Sequence, residues 1–340
     1  MKKDDLNGLI YIENNCRDPH YNLAFEEYVF TKICSGGKDG RPLLLLWQNE
    51  PSVIIGKYQN TAEEINYEYI SRHNINVVRR NTGGGAVYHD DGNLNYSFII
   101  PDVESKVDFK TFTIPIVKAL QSRGVKAEQT GRNDILVDGC KFSGNAQQFS
   151  DRKLLHHGTL MFDVNVEAVA GSLQVKEGKF KSKASKSVRS RVTNLKPYLK
   201  DQGVDTAEKL KELLLEWFKT EYDVAEMQLT QEQLSEIEEL RRNKYLSRDW
   251  NYGKSPKSDM VRGEWLDCGR VEFHISLEKH KISGVKIVGD FFATADVAIL
   301  EEALVGVEYN GEDVLEALKK AGAEKIITGV KAEELANIVV

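Results

Sequence analysis

Residues 79–97 read Arg-Arg-Asn-Thr-Gly-Gly-Gly-Ala-Val-Tyr-His-Asp-Asp-Gly-Asn-Leu-Asn-Tyr-Ser. Three consecutive glycines, Gly83 to Gly85, follow a β-like run over 76–80 and precede Ala86-Val87. Glycine carries no Cβ, so this backbone reaches conformations closed to other residues and can approach a ligand closely. Successive N–H groups in such a loop form a concavity suited to phosphate or carboxylate. Arg79 and Arg80 add planar, permanently charged donors matched to the same oxygens. A bare Gly-Gly-Gly describes a hairpin turn equally well, but the crowd of His89, Asp90, Asn93 and Asn95 beside it argues for a site. No Lys-Ser or Lys-Thr follows at Walker spacing, and the loop does not spell Gly-x-Gly-x-x-Gly. Both the P-loop and the Rossmann fingerprint are therefore excluded.

Working outward, residues 131–149 read Gly-Arg-Asn-Asp-Ile-Leu-Val-Asp-Gly-Cys-Lys-Phe-Ser-Gly-Asn-Ala-Gln-Gln-Phe. A strand over 133–137, a two-residue turn at Asp138-Gly139 and a return strand from Cys140 make a hairpin. Simple alternation puts Lys141, Ser143 and Asn145 on one face and Cys140, Phe142 and Gly144 on the other. A lysine on an edge strand is commonly just solvated. In an active site it would hold an anionic ligand and stabilise charge on a transferring acyl or phosphoryl group. Residues 154–162, Leu-Leu-His-His-Gly-Thr-Leu-Met-Phe, form a further strand. Its adjacent histidines, His156 and His157, must point to opposite faces, so only one can share a site with Lys141. No Cys-x-x-Cys or His-x-x-x-His accompanies them, and zinc is not expected.

In order and spacing, Arg-Arg-x-Thr-Gly-Gly-Gly-Ala-Val-x-His-Asp-x-Gly-Asn, Gly-Arg-Asn-Asp-Ile, Lys-Phe-Ser-Gly-Asn-Ala, His-His-Gly-Thr-Leu and the stretch 185–195 resemble the lipoate–protein ligase family. That family lies within the biotin/lipoate ligase and transferase superfamily. The resemblance covers roughly residues 8–250, and the remainder is similar to the family's small accessory domain. It implies an α+β, class II synthetase-like catalytic fold with a mixed, largely antiparallel sheet. It also implies two steps: lipoate and ATP give lipoyl-AMP and pyrophosphate, and the lipoyl group then passes to a lysine of an acceptor.

Carried over by position, Arg80 contacts the carboxyl and phosphate region, and Lys141 bridges the lipoyl carbonyl and the adenylate phosphate; these two are the catalytic candidates. Gly85, Ala86, Val87 and Tyr88 match the nucleotide-binding backbone, joined by Asp134, the candidate Mg2+ ligand. Thr82, Gly84, Ala146 and His157 match the lipoate-binding positions. Thr82 stands where many relatives carry serine, which keeps the hydroxyl. His89 and Asn93 complete the pocket, with Lys186, Arg189 and Arg191 as lid candidates. ATP and Mg2+ are expected as cosubstrates and lipoate as substrate, with no tightly bound prosthetic group. The implied acceptors are lipoyl domains of 2-oxoacid dehydrogenase E2 subunits or the glycine-cleavage H protein.

Two enzymatic alternatives stay open. Octanoyl- and lipoyltransferases of the superfamily use a cysteine thiolate without ATP, and Cys140 is the cysteine within these motifs. Biotin ligases carry a different glycine-rich signature. A non-catalytic binding relative is disfavoured by retention of Arg80 and Lys141.

At 340 residues with 41% hydrophobic content, the chain can bury a sizeable core and hold two domains. The net charge of −6 gives no general push towards nucleic acid or membrane. The amino terminus lacks a signal-peptide apolar run, and no segment approaches a membrane span. Four scattered cysteines fit a reducing cytoplasm. The run 176–191 holds five lysines and two arginines against Glu177. It reads as a solvated loop, a lid over phosphate, or a landing strip for an acidic acceptor.

Helices are expected over 19–30, 110–122, 207–219 and 230–245, and after a capping box at Thr61-x-x-Glu64. Strands are expected over 43–47, 52–55 and 94–100. Domains are expected as 1–248 (catalytic), 249–256 (a Gly- and Pro-bearing linker) and 257–340 (a small α+β accessory domain). The last should hold strands near 271–277 and 285–288 and helices near 294–304 and 312–320.

Overall fold

The computed structural model describes residues 6, 8–34, 40–103, 108–131, 133–174, 192–253 and 258–340. The lid candidates Lys186, Arg189 and Arg191 lie outside them. Fourteen strands occur among the described residues. Eleven belong to the larger body: β1 (Leu9–Ile12), β2 (Leu43–Trp47), β3 (Ser52–Ile55), β4 (Asn76–Arg79), β5 (Val87–His89), β6 (Asn93–Ile100), β7 (Ala127–Thr130), β8 (Asp134–Val137), β9 (Cys140–Ser150), β10 (Lys153–Met161) and β11 (Val224–Met227). The main sheet has the order β11-β1-β2-β6-β10-β9-β8-β7, and β4-β3-β5 form a second, small sheet. Pairing is parallel at β1–β2, β1–β11 and β3–β4 and antiparallel elsewhere.

Alternation along the central strands sorts the two faces. Leu44 and Leu46 of β2 and Leu94, Tyr96, Phe98 and Ile100 of β6 point to one side. There they pack on the helices Lys110–Gln121 and Ala207–Glu221, through Phe112, Ile116, Leu120, Leu210, Leu214 and Phe218. The opposite face carries Leu43, Leu45, Trp47, Ile99 and Leu155, covered by Leu23, Ala24, Phe25 and Tyr28 of the helix Pro19–Tyr28. Asp18 caps that helix by accepting from His20 and Tyr21 N–H. The site forms on this second face, between the main sheet and the small one.

Three sequence expectations change. Thr61 is not a cap: it lies inside the one-turn helix Thr61–Glu64, and its hydroxyl donates to Asn251 O at 2.7 Å. A second short helix, Tyr67–Arg72, capped by Asn66, then leads into β4. Arg248–Tyr252, which takes in the first four residues of the stretch 249–256 read as linker, is a helix. Arg79 binds it at Trp250 O (2.8 Å), while Asn251 Oδ1 accepts from Arg79 N–H (3.0 Å). The third change is at the hairpin. Asp138 and Gly139 both have positive φ (50° and 76°), as a type I′ turn requires. Beyond it, however, Leu136 pairs with Lys141 and Ile135 with Ser143. Phe142 is the extra residue of a β-bulge, and a bulge reverses the alternation. Lys141 thus shares its face with Asp134 and Gly144, whereas Phe142 and Ser143 are both fully buried.

Residues 258–340 form a three-stranded antiparallel sheet, β12 (Met260–Leu266), β13 (Gly269–Glu278) and β14 (Lys281–Gly289). It is packed on the helices Ala298–Leu304, Gly311–Lys320 and Ala332–Val339 around Phe273, Ile275, Leu300, Leu318 and Leu335. This body meets the larger one at the glycine loop. Phe291 stacks on Tyr58 (centroids 5.1 Å apart), Gly289 N–H donates to Tyr58 O (2.9 Å), and Lys57 lies 3.6 Å from Asp296. No described helix is long and apolar enough to cross a membrane.

Candidate functional site

The loop after β4 is held open by Arg80, which is 5% exposed. Its Nε donates to Thr82 Oγ1 (2.8 Å), Nη1 to Ile54 O (3.1 Å), and Nη2 to Gly83 O (2.7 Å) and Gly85 O (2.9 Å). Burial pushes this guanidinium down to about 10, with the Glu26 charge opposing the shift; it stays charged at neutral pH. Gly84 has φ +91°, and a Cβ there would meet the Phe292 ring and Arg80 Nη2. At Gly56 a Cβ would collide with the Gly84 carbonyl, and at Gly83 with the Phe291 carbonyl. Gly85 is different, since nothing lies within 4 Å of where its Cβ would be. Two features of the expected anion cradle are altered: Gly84 N–H already donates to Phe291 O at 3.1 Å, and Arg79 spends its guanidinium on Gly56, Lys57, Gln59 and Trp250 carbonyls and Thr61 Oγ1.

A cavity of about 290 Å3 opens beside this loop. Of the residues singled out in the sequence, Arg80, Gly84, Gly85, Ala86, Val87, His89, Lys141, Ala146 and His157 line it. Thr82 (1% exposed) does not; it reaches the site through its bonds to Arg80 and His157 Nε2 (2.8 Å). Tyr88 points away from its β5 neighbours Val87 and His89, into the cluster of Val53, Ile55 and Val77. Asn93 is buried behind Asn95, to which it donates (2.9 Å). Asp134 stands at the rim, its Oδ1 2.7 Å from Lys141 Nζ, both side chains more than a third exposed. Gly144 leaves room for that lysine, whose Nζ lies 3.2 Å from where a Cβ would be. Thr193 N–H donates to Lys141 O (2.9 Å), so the chain rejoins the site beside the lysine after residue 191. Cys140 is off the cavity, on the other face from Lys141.

Sequence reading flags Asn95 in the polar crowd after the glycine loop and Asn145 as a strand neighbour of Lys141, whereas Glu26, Trp47, Asp290 and Phe292 carry no signal for the site. Trp47, Asn95, Asn145, Asp290 and Phe292 line the cavity. Glu26 lies behind His157, its two carboxylate oxygens each 3.0 Å from Nδ1. His89 Nε2 and Asn95 Nδ2 are buried without a hydrogen-bond partner.

The other histidine of the pair, His156, is fully buried on the opposite face among Tyr96, Phe109 and Phe112. Burial holds His156 well below its ordinary range. It also pushes His89 down to about 3, helped by the nearby charge of Arg80. Both stay neutral in the fold, while the unfolded chain takes up protons near pH 6.5. Stability is therefore expected to fall as pH drops from about 6.5 towards 3, by up to about 1.4 kcal/mol per pH unit for each ring. Urea unfolding at pH 7 and pH 5 checks this; equal midpoints would contradict it.

A mixed sheet with a glycine loop at its edge, and a strand-borne lysine facing the same cavity, marks a class II synthetase-like ligase fold. Residues 18–219 match the family described as lipoyl protein ligase A/B catalytic domain, and 255–339 the bacterial lipoate protein ligase C-terminus. The chain belongs to the lipoate–protein ligase family. It is 41% identical over 335 residues to lipoate-protein ligase LplJ of Bacillus subtilis, covering 97% of this chain and 100% of that one. It is 46% identical to lipoate–protein ligase 1 of Staphylococcus aureus over 90% and 92% of the two chains.

Among solved structures, P. falciparum LipL1 in complex with lipoate is similar, with a TM-score of 0.77 and 26% identity over 92% and 94% of the two chains. A bipartite lipoate protein ligase with its E2 lipoyl domain from Thermoplasma acidophilum has a TM-score of 0.63 and 26% identity, covering 75% and 100%. A lipoate-protein ligase A bound with ATP has 0.59 and 26%, covering 73% and 98%.

Proposed function

We propose that the chain uses ATP to convert lipoate to lipoyl-AMP and pyrophosphate, then passes the lipoyl group to a lysine amine of a lipoyl-domain protein. The shape of the cavity carries this reading. It crosses the sheet from Lys141 on β9, past His157 on β10 and Asn95 on β6, to Trp47 on β2. Three strand spacings amount to roughly 14 Å, which suits a carboxylic acid of about eight carbons. Leu23, Trp47, Ile54 and Val87 give the apolar wall for its tail. At the opposite end, Lys141 and the glycine loop await the carboxyl and the phosphate.

Lys141 neutralises charge as the carboxylate attacks the α-phosphate, and again as the amine displaces AMP. Arg80 keeps the loop in shape and lends positive charge. Asp134, a single rim carboxylate beside Lys141, fits Mg2+, which binds through one or two carboxylates plus substrate phosphates. The ion would offset phosphate charge there. Support also comes from the relatives solved with lipoate, with ATP and with an E2 lipoyl domain.

Lipoate-dependent exchange of pyrophosphate into ATP tests the reading. Acyl transfer that proceeds without ATP would overturn it in favour of the transferase alternative. That alternative needs a cysteine nucleophile in the cavity, and Cys140 is not there. Cys140→Ser is accordingly expected to keep most of its exchange rate. An acyl adduct trapped on Cys140 of the unmodified chain would contradict this.

A further inference from the structure

We infer that Glu26 is a positioning residue for Arg80, acting through His157 and Thr82. Glu26 is 4% exposed on the helix Pro19–Tyr28, with its carboxylate facing the main sheet. Ser97 Oγ donates to it at 2.5 Å and is itself fixed by Trp47 Nε1–H at 2.9 Å. An ionised carboxylate only accepts, so the His157 nitrogen 3.0 Å from both its oxygens, Nδ1, carries the proton. In the tautomer with the proton on Nδ1, Nε2 is an acceptor, and the group in reach is the Thr82 hydroxyl at 2.8 Å. With its hydrogen committed to His157, Thr82 Oγ1 can accept from Arg80 Nε–H, also 2.8 Å away. Donors and acceptors agree at every link, and chains of this kind strengthen in a buried setting.

The terminus of the chain is what gives it a function. Arg80 holds the carbonyls of Gly83 and Gly85, so a carboxylate on another element governs the shape of the loop. Glu26 also places a negative charge near a buried guanidinium that burial alone would disfavour. The acid–histidine–hydroxyl order is that of a nucleophilic triad. Thr82, however, is 1% exposed and does not line the cavity, so its hydroxyl serves as a relay and not as a nucleophile.

This inference rests on the ligase reading, and its test is lipoate-dependent pyrophosphate exchange by the full chain. Glu26→Gln and Thr82→Val, each nearly isosteric, are expected to lower kcat roughly tenfold to a hundredfold, the scale of slight misplacement in a site. Because both cut the same chain, the double variant should be no slower than the worse single one. Thr82→Ser, which keeps the hydroxyl, should recover most of what Thr82→Val loses. Effects of Glu26→Gln and Thr82→Val that multiply in the double variant would overturn the inference, as would an acyl ester found on Thr82. If Glu26→Gln does not fold, the Val and Ser pair at position 82 still decides: equal rates for the two would also overturn it. A wild-type chain without exchange activity would instead remove the ligase reading itself.

Discussion

Lys141→Ala is expected to lose pyrophosphate exchange by a factor of about 10^2 to 10^3, the scale for removing a preorganised donor aimed at developing charge. Transfer from supplied lipoyl-AMP should fall as well, because the proposed mechanism uses the same ammonium in both steps. The fold should survive. Lys141 Nζ is paired with a partly exposed Asp134, and surface pairs of this kind contribute little to stability. Its thermal midpoint should therefore match the wild type within a few degrees. Exchange near the normal rate in a folded Lys141→Ala chain would remove the lysine from the mechanism.

The second large effect comes from a residue without a side chain. Gly56→Ala puts a Cβ into the Gly84 carbonyl, a backbone atom that no rotamer change can move aside. The loop must then shift against Arg80, which also holds Gly83 O and Gly85 O. We expect a loss of roughly 1–3 kcal/mol in stability, typical of overpacking. Exchange should fall about a hundredfold, because the proposed mechanism needs the loop donors in register with the phosphate. Gly85→Ala is the contrast, since its Cβ would enter open space and unfolding should be nearly unchanged. Chemical denaturation of both variants checks the pair. Equal stability of Gly56→Ala and wild type would refute the packing argument.

Much of this architecture was legible in the chain, for local reasons. The strands at 43–47, 52–55 and 94–100 follow from apolar runs between turn residues, and the opposite facing of His156 and His157 follows from strand geometry. What escaped is non-local. The facing of Ser143 and Gly144 relative to Lys141 was misread because alternation carries no sign of a bulge; only pairing with Ile135 and Leu136 reveals it. Glu26 looks like any acid on an amphipathic helix, and its partners Ser97 and His157 lie 71 and 131 residues away. The helix Arg248–Tyr252 was hidden by the Gly and Pro that follow it, whereas its anchor is Arg79, on β4. Phe291 and Phe292 gave no motif at all, yet they touch the glycine loop.

The bond from Gly84 N–H to the Phe291 carbonyl has a consequence for how tightly any anion is held. One N–H cannot fully serve two acceptors, so a phosphate oxygen aimed at that group competes with an acceptor on the same polypeptide. Such a competitor does not dilute away: its effective concentration is fixed by the connection between the two bodies, whatever the protein concentration. Apparent anion affinity at the loop thus contains the strength of a contact made more than 200 residues away in the chain. A substitution near Phe291 that never touches nucleotide would still alter it.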